Sequence, residues 1–116
     1  MMKIDEKVQS AVSDLGVKDG VVTVYCPHST AGVVINESDD PAVQKDILRR
    51  LNDLVPLNLE YEHGEGNSDA HIKSALIGSS VQVMVEKGKI QLGAWQAIYF
   101  CEFDGPRNRK VWIAVR

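Results

Sequence analysis

What this chain of 116 residues lacks narrows what it can do. It has no excess of basic residues: 13 Lys and Arg stand against 16 Asp and Glu, for a formal charge of −3. Without a basic field to displace counterions, nucleic acid is not an expected partner. No apolar run approaches the ~18 residues needed to cross a bilayer. The opening MMKIDEKVQS is charged where a signal peptide would be apolar. No membrane association and a cytoplasmic location are therefore expected. The two cysteines, Cys26 and Cys101, form no CxxC pair, and with no export signal they read as free thiols buried like small hydrophobes. A glycine-rich phosphate loop and an HExxH zinc signature are also missing.

What remains is the composition of an ordinary globular domain, 44% hydrophobic and 25% charged, and a length that suggests one domain over 1–116. Ile4, Val8, Ala11, Val12 and Leu15 recur at helical spacing, which predicts an amphipathic helix over about 6–15. Residues 21–26 are rich in β-branched types and predict a strand, and 31–36 predict a second. Ser38-Asp39-Asp40-Pro41 is a strong helix start. It leads into a stripe of Val43, Ile47, Leu48, Leu51, Leu54 and Val55. Asn67-Ser68-Asp69 caps a short helix over 70–77 that Gly78 stops. The last third reads as strands over 81–85, 90–92, 96–103 and 110–115. That order predicts an α+β domain with largely antiparallel sheets.

Chemistry concentrates in three segments. The chain has only three histidines, His28, His63 and His71. Neutral imidazole is the commonest transition-metal ligand, and three of them suit zinc with a position left open. From spacing alone, ordinary hydrogen bonding in loops is the stronger reading, because the spacing is no metal signature. Ser29 and Thr30 beside His28 offer hydroxyl donors to a phosphate or carboxylate, or form a plain polar turn. Asn36 and Glu37 follow a strand, where Glu37 is either a general base or a solvated loop residue. Trp95 and Gln96 open a later strand, and the tryptophan reads as core or subunit interface. Arg107, in a tight turn, either grips an anion or pairs with Glu102 or Asp104.

The segments HSTAGVVINE at 28–37, YEH…GNSDAHIKS at 61–74, SSVQV at 79–83 and the G-x-W-Q at 93–96 together resemble the YjbQ family, small proteins often labelled secondary thiamine-phosphate synthases. The resemblance runs over about 21–115. It implies a seven-stranded, two-layer, mostly antiparallel β-sandwich with peripheral helices, assembled as a homotrimer with its polar site between or near subunits. It also implies that His28, His63 and His71 bind a metal, with Ser29, Thr30, Asn36, Glu37, Asn67 and Gln96 as polar partners. Compared with the family pattern, the sequence lacks an extra strand before the first helix, carries Ala94 where threonine is usual, and has Met84 where proline is common.

Three functions follow as expectations. One is a weak thiamine-phosphate synthase-type transferase, with zinc at the histidines or magnesium alongside a diphosphate, and with Glu37 and His28 as its catalytic residues. Another is a metal-dependent hydrolase or lyase of a small phosphorylated metabolite, with Glu37 or Glu62 as base. The last is a trimer that binds a metabolite or metal without turnover.

Overall fold

The computed structural model describes residues Met1–Arg116. Two antiparallel sheets face each other. One holds β1 (Met2–Lys3), β6 (Gln96–Glu102) and β3 (Ala31–Glu37) in that order. The other runs β5 (Lys89–Ile90), β4 (Ser80–Glu86), β2 (Gly20–Tyr25) and β7 (Trp112–Val115). Helix α1 (Asp5–Asp14) precedes β2, while α2 (Pro41–Leu54) and α3 (Ser68–Ile77) lie between β3 and β4. The α+β class and the antiparallel pairing agree with the sequence. The sequence reading starts regular structure at the first helix, yet Met2 and Lys3 pair with Phe100 and Tyr99 as a short strand ahead of it. Two residues with no alternating pattern leave no periodicity to detect.

Alternation builds the interior. Val22 and Val24 of β2 and Val83 and Val85 of β4 point inward, against Val33 of β3 and Ile98 and Phe100 of β6. Ile4, Val8 and Val12 close this layer from the α1 side. β6 is buried on both faces, because Ala97, Tyr99 and Cys101 turn the other way, toward Val34 and Ile77. A strand walled in on both faces reads as a continuous apolar run, and Ala97 to Cys101 is one.

One contact fixes where α3 ends. A Cβ on Gly32 would stand 2.6 Å from the Gly78 carbonyl oxygen, which accepts from the Val33 N–H at 3.1 Å. Only glycine lets the start of β3 pass so close to the end of α3. Ser74 Oγ donates to the Ala31 carbonyl at 2.6 Å beside it. Together these contacts hold the first turn of β3, and the residues before it, against the α3 helix.

α2 is the exception to this packing. Asp40 Oδ1 accepts from the Ala42 N–H at 2.9 Å and Pro41 opens the helix, as the sequence indicates. None of its residues is buried, and Val43, Ile47, Leu48 and Leu51 are only half-covered. Two polar ties hold it: Gln44 Nε2 donates to the Tyr99 hydroxyl at 2.6 Å, and Lys73 Nζ donates to Asn52 Oδ1 at 2.7 Å.

Candidate functional site

Three chain segments meet at the end of the sandwich where β3 begins and β6 finishes. Pro27 breaks the β2 ladder, because it has no N–H to give, and His28-Ser29-Thr30 follow. β6 runs out into the turn Asp104–Arg109. Asn67 starts α3, which carries His71 in its first turn. Their side chains enclose a cleft of 360 Å³ that no hydrophobic residue lines, formed by His28, Ser29, Thr30, Glu65, Asn67, His71, Asp104, Arg107 and Arg109 beside Pro27.

Its walls are hydrogen-bonded in a definite sense. Arg109 Nε donates to Glu102 Oε1 at 2.7 Å, while Nη2 donates to Glu102 Oε2 at 2.5 Å and to Thr30 Oγ1 at 2.8 Å. This fork holds the Glu102 carboxyl below the usual carboxylate range, against the opposing effect of burial, and pushes the Arg109 guanidinium upward. Asn67 Nδ2 donates to Asp104 Oδ2 at 2.9 Å, and that bond is the main cause of a lowered Asp104, with the Arg107 charge next after the opposing burial. Arg107 ties itself to Asp104 through Nη2 at 2.9 Å and through Nε to the Asp104 carbonyl at 2.8 Å. Glu102 and Asp104 thus take separate arginines rather than compete for Arg107.

The same network sets the histidine tautomers. An ionised Asp104 only accepts, so the Asn67 amide nitrogen must face it and its oxygen turns toward His63. His63 Nε2, 3.0 Å from Asn67 Oδ1, therefore carries the proton. His28 Nε2 accepts from the Lys110 backbone N–H at 2.9 Å, which leaves Nδ1–H as the ring's donor when neutral. His71 makes no hydrogen bond to protein through its ring; it stands edge-on to His63 with centroids 5.4 Å apart. His71 lines the polar cleft on one side and, on the other, an open hollow with His63, Tyr61, Glu62 and Ser68.

A three-imidazole metal centre does not fit these contacts. No group of three or more His, Cys, Asp or Glu side chains stands in ligating array, and the lone pair His28 would give an ion is taken by the Lys110 amide. Both thiols are excluded as nucleophiles by burial, which raises Cys26 and pushes Cys101 up to about 11.

The structure thus gathers His28, Ser29, Thr30, Asn67, His71 and Arg107, with His63 next to them. It does not bring Asn36, Glu37 or Gln96 there. In the β3–β6 ladder Ala31 faces Glu102 but Glu37 faces Gln96, at the other end of seven-residue strands, about 20 Å away at strand rise. There the Glu37 carboxylate accepts from the Asp39 N–H at 2.6 Å and shapes the turn into α2. Asn36 Oδ1 accepts from the Glu37 N–H at 2.7 Å, and Gln96 Oε1 from the Gly93 N–H at 2.8 Å. Within one chain, then, Glu37 is a turn-former and not the base of the histidine cleft.

Two features escape a reading of the sequence. Arg109 is the best-tied cation of the cleft, and the Arg-x-Arg alternation at 107 and 109 was its only signal. Lys73 is 6% exposed and bonded to Asp69 at 3.0 Å, a buried pair announced only by i,i+4 spacing.

A family model described as "UPF0047 protein YjbQ-like" matches residues 1–116. UPF0047 proteins of Methanocaldococcus jannaschii and Bacillus subtilis are each 48% identical, over 99% and 97% of this chain and 83% and 86% of their own lengths. A crystal structure of an uncharacterised YjbQ/UPF0047 protein from Clostridium acetobutylicum superposes with a TM-score of 0.96 at 52% identity, over 99% of this chain and 89% of that one. A conserved hypothetical protein of Thermus thermophilus gives 0.93 at 41% identity, over 99% of this chain and 90% of its own.

Proposed function

The chain belongs to the UPF0047 family of YjbQ-like proteins, and on that premise we propose that its polar cleft binds and transforms a small phosphorylated metabolite. The observation that supports this is the cleft's lining: two guanidiniums, two imidazoles and two hydroxyls, contributed by separate chain segments, with an Asp104 carboxylate already paired to Asn67 and Arg107 and an exposed Glu65, around a space without a hydrophobic wall. Such a set recognises phosphate oxygens, the arginines by charge and the hydroxyls and Asn67 by hydrogen bonds. His71, whose ring has no hydrogen-bond partner in the protein, is the general acid–base, and His28, held by the Lys110 amide, is a donor through Nδ1–H.

The reaction assigned is weak transfer of the thiamine-phosphate synthase type. The nitrogen of a thiazole phosphate bonds to the methylene carbon of a pyrimidine carbinol diphosphate, and diphosphate leaves with the C–O electron pair. Arg107 and the His28 donor offset the charge gathering on the leaving group. Incubating the purified protein with both substrates should yield thiamine phosphate slowly, and His71→Ala should remove it. Product formation equal in wild type and variant would reject the assignment. The scheme routes no step through a metal at the histidines. Stoichiometric zinc in the purified protein, lost in His28→Ala, would require His28 to release the Lys110 amide and would replace this scheme with a metal-dependent one.

The assembly proposed is a homotrimer. The outer face of the four-stranded sheet carries Met84 at 66% and Trp112 at 60% exposure, with the Tyr25 ring tilted against Trp112, centroids 5.7 Å apart. Apolar area left bare on a flat sheet favours burial against another copy. A neighbouring subunit is also the one way for the Glu37–Gln96 end to approach a histidine cleft.

A further inference from the structure

His71 stands between two spaces. On one side is the polar cleft, and on the other a wider hollow of 540 Å³ lined by Tyr61, Glu62, His63, Ser68, His71 and Ile72. The two share no residue but His71, and they differ in hydrogen-bonding sense. The cleft offers donors, from its guanidiniums and the His28 Nδ1–H. The hollow offers acceptors. Glu62 is exposed and takes part in no ion pair, and an ionised carboxylate can only accept. Neutral His63 gives its Nε2 proton to Asn67 Oδ1 at 3.0 Å and keeps an uncommitted lone pair at Nδ1. Ser68 is 9% exposed, yet its hydroxyl has no partner in the protein and lines the hollow. The other walls are apolar. The Tyr61 hydroxyl donates to the Pro56 carbonyl, which pins the ring by its far edge, and Ile72 is 40% exposed.

Acceptors beside a pinned aromatic ring and an aliphatic side chain select a flat ring that carries N–H donors. A phosphate is disfavoured, because Glu62 repels it and no arginine or lysine lines the space. We infer that the hollow binds an amino-substituted nitrogen heterocycle, an assignment that rests on the cleft as phosphate and reaction site and gives the proposed pyrimidine substrate a place for its ring. The amino group donates to Glu62, the Ser68 hydroxyl donates to a ring nitrogen, and the ring lies against Tyr61 and Ile72. The diphosphate stays in the cleft with Arg107 and His28. The methylene carbon that joins the two halves then lies beside His71, at the boundary, where the bond to diphosphate breaks. Glu62 is thus a specificity-determining residue, a role that Glu37 at the far end of the β3–β6 ladder cannot fill within one chain.

The test is a titration of the whole protein, followed by methyl NMR, with 4-aminopyrimidine and with 4-methylpyrimidine, which has the same shape without the donor. Mildly alkaline solution keeps both probes neutral. The amine should bind about tenfold tighter, the scale of one hydrogen bond to a charged acceptor, and should shift the Ile72 methyl signals. Glu62→Ala should remove most of that preference at an unchanged melting temperature, since Glu62 is exposed and unpaired. Equal binding of the two probes, an Ile72 signal that 4-aminopyrimidine leaves unmoved, or a preference that survives Glu62→Ala intact would overturn the inference. Turnover separates it from the functional proposal. Amine-selective binding at Ile72 in a protein with no histidine-dependent product supports the hollow and rejects the transferase. In an active transferase, Glu62→Ala should raise KM for the pyrimidine diphosphate by about tenfold. Product that is lost in His71→Ala but formed with unaltered KM in Glu62→Ala rejects the hollow alone.

Discussion

Arg109 joins two segments that sequence distance keeps apart, the end of β6 and the residue before β3, through Glu102 and Thr30. Its effect can be read through pH. Glu102 and Asp104 are both held below their ordinary values in the folded chain. A carboxyl depressed on folding adds stability that is present above its unfolded pKa, about 4, and is lost as pH falls through the folded value. Stability measured by urea unfolding should therefore be level near neutrality and fall below about pH 4. Glu102→Gln should flatten part of that fall, and Glu102→Gln and wild type should converge at the acid end. An equal slope in both would mean that the Arg109 fork contributes nothing. The histidines show how far single residues were legible. Their types pointed to a shared site; His28 and His71 line one cleft and His63 stands beside it. Their partners were invisible, because a backbone amide from Lys110 and an amide flip at Asn67 are set by folding and not by spacing.

Among the elements, α2 shows the limit of periodicity. Its cap and its stripe were both readable, and both are present, yet the stripe has little to pack on within one chain. The pattern says that a face is apolar and not what covers it. A core Leu→Ala costs about 2–5 kcal/mol; Leu51, half-covered, should fall below that range in dilute protein. Asp40→Ala, which removes the cap bond, should cost about 1 kcal/mol. Thermal melts of the two variants check both figures, and a Leu51→Ala loss as large as a core substitution would show that another chain buries this face. The other elements were legible because each has a period or a boundary residue: alternating valines in β2 and β4, Pro41 at the start of α2, Gly78 at the end of α3. β1 had neither.

For the molecule as a whole, the two ends of the β3–β6 ladder decide how the site must be understood. Sequence order places Asn36 and Glu37 within ten residues of His28, and a linear reading merges them into one site. A strand between them carries them to opposite ends, which only the fold reveals. No helix is long and apolar enough to cross a membrane. Exposed apolar side chains gather on the outer sheet face at Val21, Tyr25, Met84 and Trp112, and others lie on α3 at Ile72 and Leu76 and after α2 at Leu57 and Leu59. The homotrimer makes a plain prediction. Native mass spectrometry should give three chains, and Met84→Glu combined with Trp112→Glu should shift the population to single chains with the cleft residues unchanged. A wild-type mass of one chain at micromolar concentration would remove the assembly from the proposal.

β6, central in its sheet and shut in above and below, has a consequence for how the protein opens. Its amide hydrogens at Tyr99 and Cys101, which face β3 in the ladder, have no small local motion that would let solvent in. In heavy water they should remain protonated longest, exchanging only when the whole molecule comes apart. The cleft would then hang from the last part of the protein to let go.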